Sequence, residues 1–174
     1  ISITPLTSLC TNGALETLSA TPVGGNWYVN DIASNDQLDP TSLSATNHEI
    51  KYSYTDENGC SDSDSVSVTI NLAPEIDLGP STFFCSGDSL SLNAGPGFSD
   101  YEWSTGDSDQ VVYVDFPGPV SVVVTDANGC IDSSSIQVSA NSLPSVDLGG
   151  SVVVCEQDSI TLGAVHSDAF SYTW

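Results

Sequence analysis

The chain has 174 residues, and its 23 acidic side chains face a single base, Lys51, which sets the net charge at −22. Nine acids fall in residues 1–71, ten in 72–141 and four in 142–174, so the whole surface repels phosphate backbones and anionic lipid. This argues against nucleic-acid binding and electrostatic membrane docking. Hydrophobic residues make up 39% of the chain, too many for an acidic disordered tail, and no apolar run approaches the roughly 18 residues of a membrane helix.

In chain order, Cys10 comes first, followed by Trp27 and then a polar stretch from Asp31 to Thr46. Tyr52 and Tyr54 alternate with Lys51, Ser53 and Thr55, and Val66, Val68 and Ile70 alternate with Ser67 and Thr69. A period of two predicts strands with one wet face. Between these runs lies Asn58-Gly59, which predicts a tight hairpin turn. Asn71-Leu72-Ala73-Pro74 reads as a short linker that limits bending, because proline fixes φ. Leu90 and Leu92 alternate with serines, Gly95-Pro96-Gly97 and Pro117-Gly118-Pro119 mark turns, and Val122–Val124 leads to a second Asn128-Gly129 hairpin. Asn141-Ser142-Leu143-Pro144 repeats the linker. No segment carries a helical stripe.

The chain is internally repetitive. Thr55-Asp56-Glu57-Asn58-Gly59-Cys60 recurs as Thr125-Asp126-Ala127-Asn128-Gly129-Cys130, and Pro74-Glu75-Ile76-Asp77-Leu78-Gly79 recurs as Pro144-Ser145-Val146-Asp147-Leu148-Gly149. Cys85 returns as Cys155, and Asp88-Ser89-Leu90-Ser91-Leu92 as Asp158-Ser159-Ile160-Thr161-Leu162. The predicted organisation is a repeat over 1–71, a second over 72–141, and the first half of a third over 142–174. Each full repeat has one early and one late cysteine, which predicts the pairs Cys10–Cys60 and Cys85–Cys130. Cys155 is then the odd cysteine, with its partner expected near position 200, and the chain reads as a mature form or an internal piece of a longer array.

Several short strands per 70 residues, joined as hairpins, predict an all-β protein of tandem two-sheet sandwiches, and the cysteine–tryptophan–cysteine order resembles the immunoglobulin plan. A bridge closing about 50 residues contributes roughly 4 kcal/mol, comparable to what the core of so small a domain supplies. Reduction is therefore expected to unfold each repeat, and the bridges place the protein outside the reducing cytoplasm. Trp27, Trp103 and Trp174 share one repeat position and are read as core residues packed against the bridges.

The string Cys85-Ser86-Gly87-Asp88-Ser89-Leu90, then Tyr101-Glu102-Trp103-Ser104-Thr105-Gly106, then Val122-Val123-Val124-Thr125-Asp126-Ala127-Asn128-Gly129-Cys130 resembles the immunoglobulin-like, PKD-adjacent repeats of Bacteroidota cell-surface adhesins. These include the giant gliding-motility adhesin and other type IX secretion substrates. The resemblance covers the second repeat and the available half of the third; the first departs from it, with Trp27-Tyr28-Val29-Asn30 in place of Trp-Ser-Thr-Gly. It implies an extracellular, cell-surface array in which repeats act as spacers and neighbouring repeats of one longer chain are the partners. It also implies O-glycosylation at Asp-Ser-apolar strings, here Ser65, Ser89 and Ser159; no Asn-x-Ser/Thr acceptor occurs.

Two other classes compete with a spacer: a module that binds surface polysaccharide or a protein, and a self-associating fibre subunit completed by a neighbouring chain. Asp100, Glu102, Asp107 and Asp109 place four carboxylates within ten residues, and hard oxygen ligands suit Ca²⁺. Asp77 and Asp147, beside the linkers, could join Asp56 or Asp126 in the same role. The opposing reading is that turn aspartates bond their own backbone. Catalysis finds little support, since the chain has no arginine, no phosphate loop and only His48 and His166 as imidazoles. The expectation is a protein that is not an enzyme.

Overall fold

The computed structural model describes residues 1–145 together with Ser151, Val153, Cys155, Ser159 and Thr161. Readings that concern Trp174, His166, Asp147 and the strands of 142–174 fall outside the described residues. Among the described residues there are fifteen strands: β1 (Ser2–Ile3), β2 (Leu9–Cys10), β3 (Glu16–Thr17), β4 (Ala20–Thr21), β5 (Asn26–Val29), β6 (Ile32–Ser34), β7 (Gln37–Leu38), β8 (Asn47–Thr55), β9 (Ser61–Asn71), β10 (Thr82–Cys85), β11 (Leu90–Asn93), β12 (Asp100–Trp103), β13 (Val111–Val114), β14 (Gly118–Thr125) and β15 (Ile131–Asn141). Among the described residues the one helical element is a single 3₁₀ turn at Pro40–Ser42, capped by the Asp39 carboxylate on Thr41 N–H. No helix there is long and apolar enough to cross a membrane.

The strands form two sandwiches of the same plan. In the second, β10-β15-β14-β12 make one sheet and β11-β13 the other; in the first, β2-β9-β8-β5-β6 face β3-β7, with a small β1-β4 ribbon added. In both, the last long strand pairs antiparallel with its hairpin partner and parallel with the strand nearest the first cysteine. This is an immunoglobulin-like strand order. Alternation explains the burial: Val120, Val122 and Val124 point inward from β14 while their neighbours stay wetter, and Val68 and Ile70 do the same from β9. Two separate cores result. One gathers Leu18, Trp27, Leu38, Ile50, Tyr52, Val68 and Ile70, and the other Phe84, Leu92, Trp103, Val112, Val114, Val120, Val122, Val124, Ile136 and Val138.

The turns differ from the expectation in an informative way. Asp56 to Cys60 is a five-residue connection closed by Thr55 opposite Ser61. Gly59 N–H donates to Asp56 O, Asp56 N–H donates to Cys60 O, and only Gly59 takes a positive φ, +83°. The hairpin expected at Asn58-Gly59 is thus formed, but through a bulged turn with positive φ at the glycine alone; Asp126 to Cys130 copies it, with Gly129 at +82°. A true two-residue hairpin occurs where the sequence reading saw only a polar stretch. Val29 pairs with Ile32, leaving Asn30 and Asp31 at φ +50° and +63° as the loop. Asparagine and aspartate tolerate that region better than other side-chain-bearing residues.

Buried polar groups in the first core are fully partnered. The Tyr52 hydroxyl donates to Pro22 O at 2.7 Å and accepts from Gly25 N–H at 2.6 Å, while its ring packs on Trp27 with centroids 4.6 Å apart. Gly25 is required at this close approach. A Cβ there would run into the Ser53 carbonyl and the Tyr52 ring. Gly25→Ala is expected to destabilise the first sandwich by about 1–3 kcal/mol, seen as a lowered unfolding midpoint in urea; an unchanged midpoint would mean that the Tyr52 anchor is dispensable.

Candidate functional site at the repeat junction

The cysteine pairing corrects the sequence expectation. The bond joins Cys10 to Cys130, across 120 residues and from one sandwich to the other, with the Cα atoms 5.7 Å apart. The expected pairs Cys10–Cys60 and Cys85–Cys130 are not formed, and Cys60, Cys85 and Cys155 are exposed thiols. The reason is the length of the last strand. Cys10 lies beside Asn71 at the end of β9, whereas Cys60 precedes Ser61 at its start. At about 3.3 Å per residue the two cysteines stand some 30 Å apart, and a disulfide needs Cα atoms within about 7 Å. Cys85 beside Asn141 and Cys130 before Ile131 are separated in the same way. Neither Trp27 nor Trp103 packs on an intra-repeat bridge: Trp27 is buried against Tyr52 and aliphatic side chains, and Trp103 among aliphatic side chains, with its Nε1–H donating to Asp109 O at 2.8 Å.

The junction around the bond is built from short polar contacts. The Asn12 amide donates to Ile131 O at 2.8 Å, a direct contact between sandwiches. Thr11 N–H donates to Asn71 O, and Thr11 Oγ1 accepts from Ala73 N–H at 2.9 Å. Further on, Ile76 N–H donates to Asp132 Oδ2 at 3.0 Å and Leu78 N–H to Ser134 Oγ at 3.1 Å. Ile76 and Leu78 also pack on the second core. The linker from Leu72 to Gly79 is therefore held by Thr11 at one end and by β15 at the other. Pro74 is one restraint among several.

The two cysteine turns carry the perturbed carboxylates. Asp56 Oδ1 accepts from Cys60 N–H and Asn58 N–H, both at 2.9 Å, and the Cys60 bond leads in holding its pKa below the ordinary 3.8 against the opposing effect of burial. At Asp126 withdrawal from water is the largest single influence and raises the pKa, yet bonds from Cys130, Asn128 and Gly129 together outweigh it and leave the pKa lowered from 3.8. A folded-state pKa below the unfolded one stabilises the turn above about pH 3.8, and that contribution is lost as pH falls through the lowered value.

The remaining candidate residues are scattered. Asp100 and Glu102 share an exposed face of β12, the Asp107 carboxylate accepts from Thr105 Oγ1 at 2.7 Å, and Asp109 contributes its carbonyl to Trp103. Asp77 accepts from Gly79 N–H at 2.7 Å. Among the described residues no three Asp, Glu, His or Cys side chains are grouped to hold a metal ion, so the four carboxylates do not assemble the Ca²⁺ cage that their spacing suggests. Ser65, Ser89 and Ser159 are exposed. His48 is buried, its Nδ1 against the Asn30 amide at 2.8 Å and its Nε2 against Ser44 O at 2.9 Å. Because Asn30 Oδ1 accepts from Glu49 N–H, the amide is the donor to His48 and the ring serves as a structural peg for the Asn30-Asp31 turn. A cleft of about 400 Å³ lies in the first sandwich; Trp27 reaches it but is only 7% exposed, too covered for sugar stacking. Of the exposed aromatics, Phe83 lies on β10 in one sheet, and Tyr113 lies on β13 in the other with Phe116 just beyond it.

No family model matches the sequence, and no curated protein is significantly similar to it. Similar solved structures include a surface glycan-binding protein from the Bacteroides ovatus mixed-linkage glucan utilization locus in complex with a heptasaccharide (14% identity, 79% of this chain and 46% of that one, TM-score 0.32). The insect immune protein hemolin (12% identity, 78% and 45%, TM-score 0.37) and a Ca²⁺-stabilised ice-binding adhesin of an Antarctic bacterium (15% identity, 77% and 46%, TM-score 0.28) are also similar. The chain spans less than half the length of each of these. At these TM-scores they carry no argument about function.

Two outcomes follow for the turns and the acids. Asp126→Ala is expected to lower the melting midpoint at neutral pH, and the difference from the parent is expected to shrink as pH falls through the lowered pKa of the Asp126 carboxylate. Millimolar Ca²⁺ is expected to leave the parent midpoint unchanged; a clear rise would restore the carboxylates of 100–109 as ligands.

Proposed function

We propose that the chain is a structural strut: an array of immunoglobulin-like repeats, with units at 1–71, 72–141 and 142–174, that spaces a more distal part of an extracellular surface protein away from its attachment. The observation that carries this reading is the Cys10–Cys130 bond. A bond from the first cysteine of one repeat to the second cysteine of the next restrains the angle between them, which a spacer needs and an isolated binding domain does not. The strapped linker acts in the same sense. The charge of −22 would keep such rods apart and extended, and a disulfide suits an oxidising compartment. The sequence resemblance to Bacteroidota surface adhesins supports a cell-surface setting, with type IX secretion and gliding motility as one such setting, and with O-glycans on Ser65, Ser89 and Ser159. Neighbouring repeats are the primary partners in this reading; surface polysaccharide and self-association are secondary.

The bond also sets how the strut bears load. Tension entering at Ile1 passes at Cys10 through the disulfide to Cys130, so residues 11–129 lie off the loaded covalent path, while β15 with Ile136 and Val138 lies on it. Single-molecule pulling between the chain ends is expected to release little length from residues 11–129 in the oxidised protein. Full reduction should add roughly 400 Å, at about 3.4 Å for each of the 120 residues spanned. Equal extensions in the two states, or a saturable glycan affinity lost on changing one exposed aromatic, would overturn the strut in favour of a binding module.

A further inference from the structure

The two sandwiches present the same pair of cysteine settings, and only half of them are used. Cys10 and Cys85 each end a short strand that runs parallel to the last long strand, in the same register: Leu9 opposite Ile70 with Cys10 opposite Asn71, and Phe84 opposite Ala140 with Cys85 opposite Asn141. The residue that follows donates to the same asparagine carbonyl in both, Thr11 to Asn71 at 2.9 Å and Ser86 to Asn141 at 2.8 Å. Cys60 and Cys130 each close the bulged turn, with N–H bonded to the Asp56 or Asp126 carboxylate at 2.9 and 2.8 Å and C=O accepting from the same aspartate's N–H. Cys10 and Cys130 are bonded to one another, while Cys85 and Cys60, their counterparts, are exposed thiols. Within a repeat the two settings stand at opposite ends of an 11-residue strand. Neither free thiol can therefore reach the other cysteine of its own sandwich.

We propose that Cys85 is the attachment site for a further repeat of the same kind, which it bonds through the cysteine of that repeat's Asp-x-Asn-Gly-Cys turn, and that Cys60 is bonded in turn by the Cys85-type cysteine of a preceding repeat. The observed bond is then one member of a series, each running from the first cysteine of a repeat to the second cysteine of the next. Linkers of the same length and type, Asn71-Leu72-Ala73-Pro74 and Asn141-Ser142-Leu143-Pro144, would deliver successive repeats in the same way. Cys155, the third residue of the Cys10 and Cys85 type, takes its partner from the repeat after its own, which replaces the expected intra-repeat partner near position 200. Each bond forms by exchange with a disulfide carrier. One protein thiolate attacks the carrier disulfide, the second displaces the carrier from the mixed disulfide, and the two protein thiols give two electrons and two protons to the carrier, which leaves as its dithiol.

The inference rests on the strut reading and is tested on the native polypeptide, alkylated before proteolysis without reduction. The expected result is Cys10 joined to Cys130, and Cys85 joined to a peptide that contains an Asn-Gly-Cys string other than the one ending at Cys130. Intact mass without reductant separates the two sources of that peptide: an unchanged chain mass places it in the same polypeptide, and a multiple of the chain mass places it in a second copy, where Cys60 is the partner. Cys85→Ser is expected to free one new alkylated cysteine, in the partner's Asn-Gly-Cys peptide, with Cys10–Cys130 intact. Alkylated Cys85 in the wild-type protein, or Cys85 bonded to Cys130, overturns the series. If Cys10–Cys130 is present and Cys85 is alkylated, the strut reading survives alone; if Cys10 is bonded to Cys60, both readings fail together.

Discussion

The parallel pairing of a short early strand with the far end of the last long strand is the constraint from which the junction follows. It places Cys10 beside Asn71 and Cys85 beside Asn141, while the hairpin places Cys60 and Cys130 at the opposite end. A disulfide cannot span a strand lengthwise. Cys10 meets instead the cysteine carried by the turn of the next sandwich, and the short linker brings it there. The covalent bond, the Asn12 contact and the anchored linker are therefore consequences of one strand pairing.

Removing the disulfide from the interior changes what holds each sandwich together. The second core closes on Trp103 and a dense set of valines with no bridge between its sheets, and the first closes on Trp27, Tyr52 and Ile50. Chain-entropy arithmetic for a loop of 120 residues gives about 5 kcal/mol, but this stabilisation is shared by two sandwiches and acts between them. Neither core has a bridge of its own, so reduction acts first on the junction between the sandwiches. The acids follow a similar logic: Asp56, Asp126, Asp77 and Asp39 are engaged with backbone N–H groups of their own turns, and their number reflects how many turns the fold contains.

Much of the architecture was legible in the sequence. The alternation at Val66–Ile70 and at Leu90–Leu92 marks strands β9 and β11, and Trp27 and Trp103 are both buried in the cores. The cysteine pairing was not, because a repeat suggests self-contained bonds and nothing local reveals a parallel partner some 60 residues away. A usable signal was present in the eleven residues between Cys60 and Leu72, which form one uninterrupted alternating run; a strand of that length already separates its two ends too far for a bond. The Asn30-Asp31 hairpin was hidden for a different reason. Its flanks, Val29 and Ile32, are short apolar pieces within a polar stretch, and the buried His48 that pins the turn is remote in sequence.

The Cys10–Cys130 bond encloses everything from Thr11 to Gly129, and this has a bearing on proteases in the surroundings. The exposed linker Asn141–Pro144 lies outside that loop, but the turns at Asp56–Gly59 and Gly95–Gly97 and the linker Leu72–Gly79 lie inside it. A single cut at any of these three leaves two fragments that remain joined through sulfur, and both cores stay in place. The molecule can be nicked without being severed.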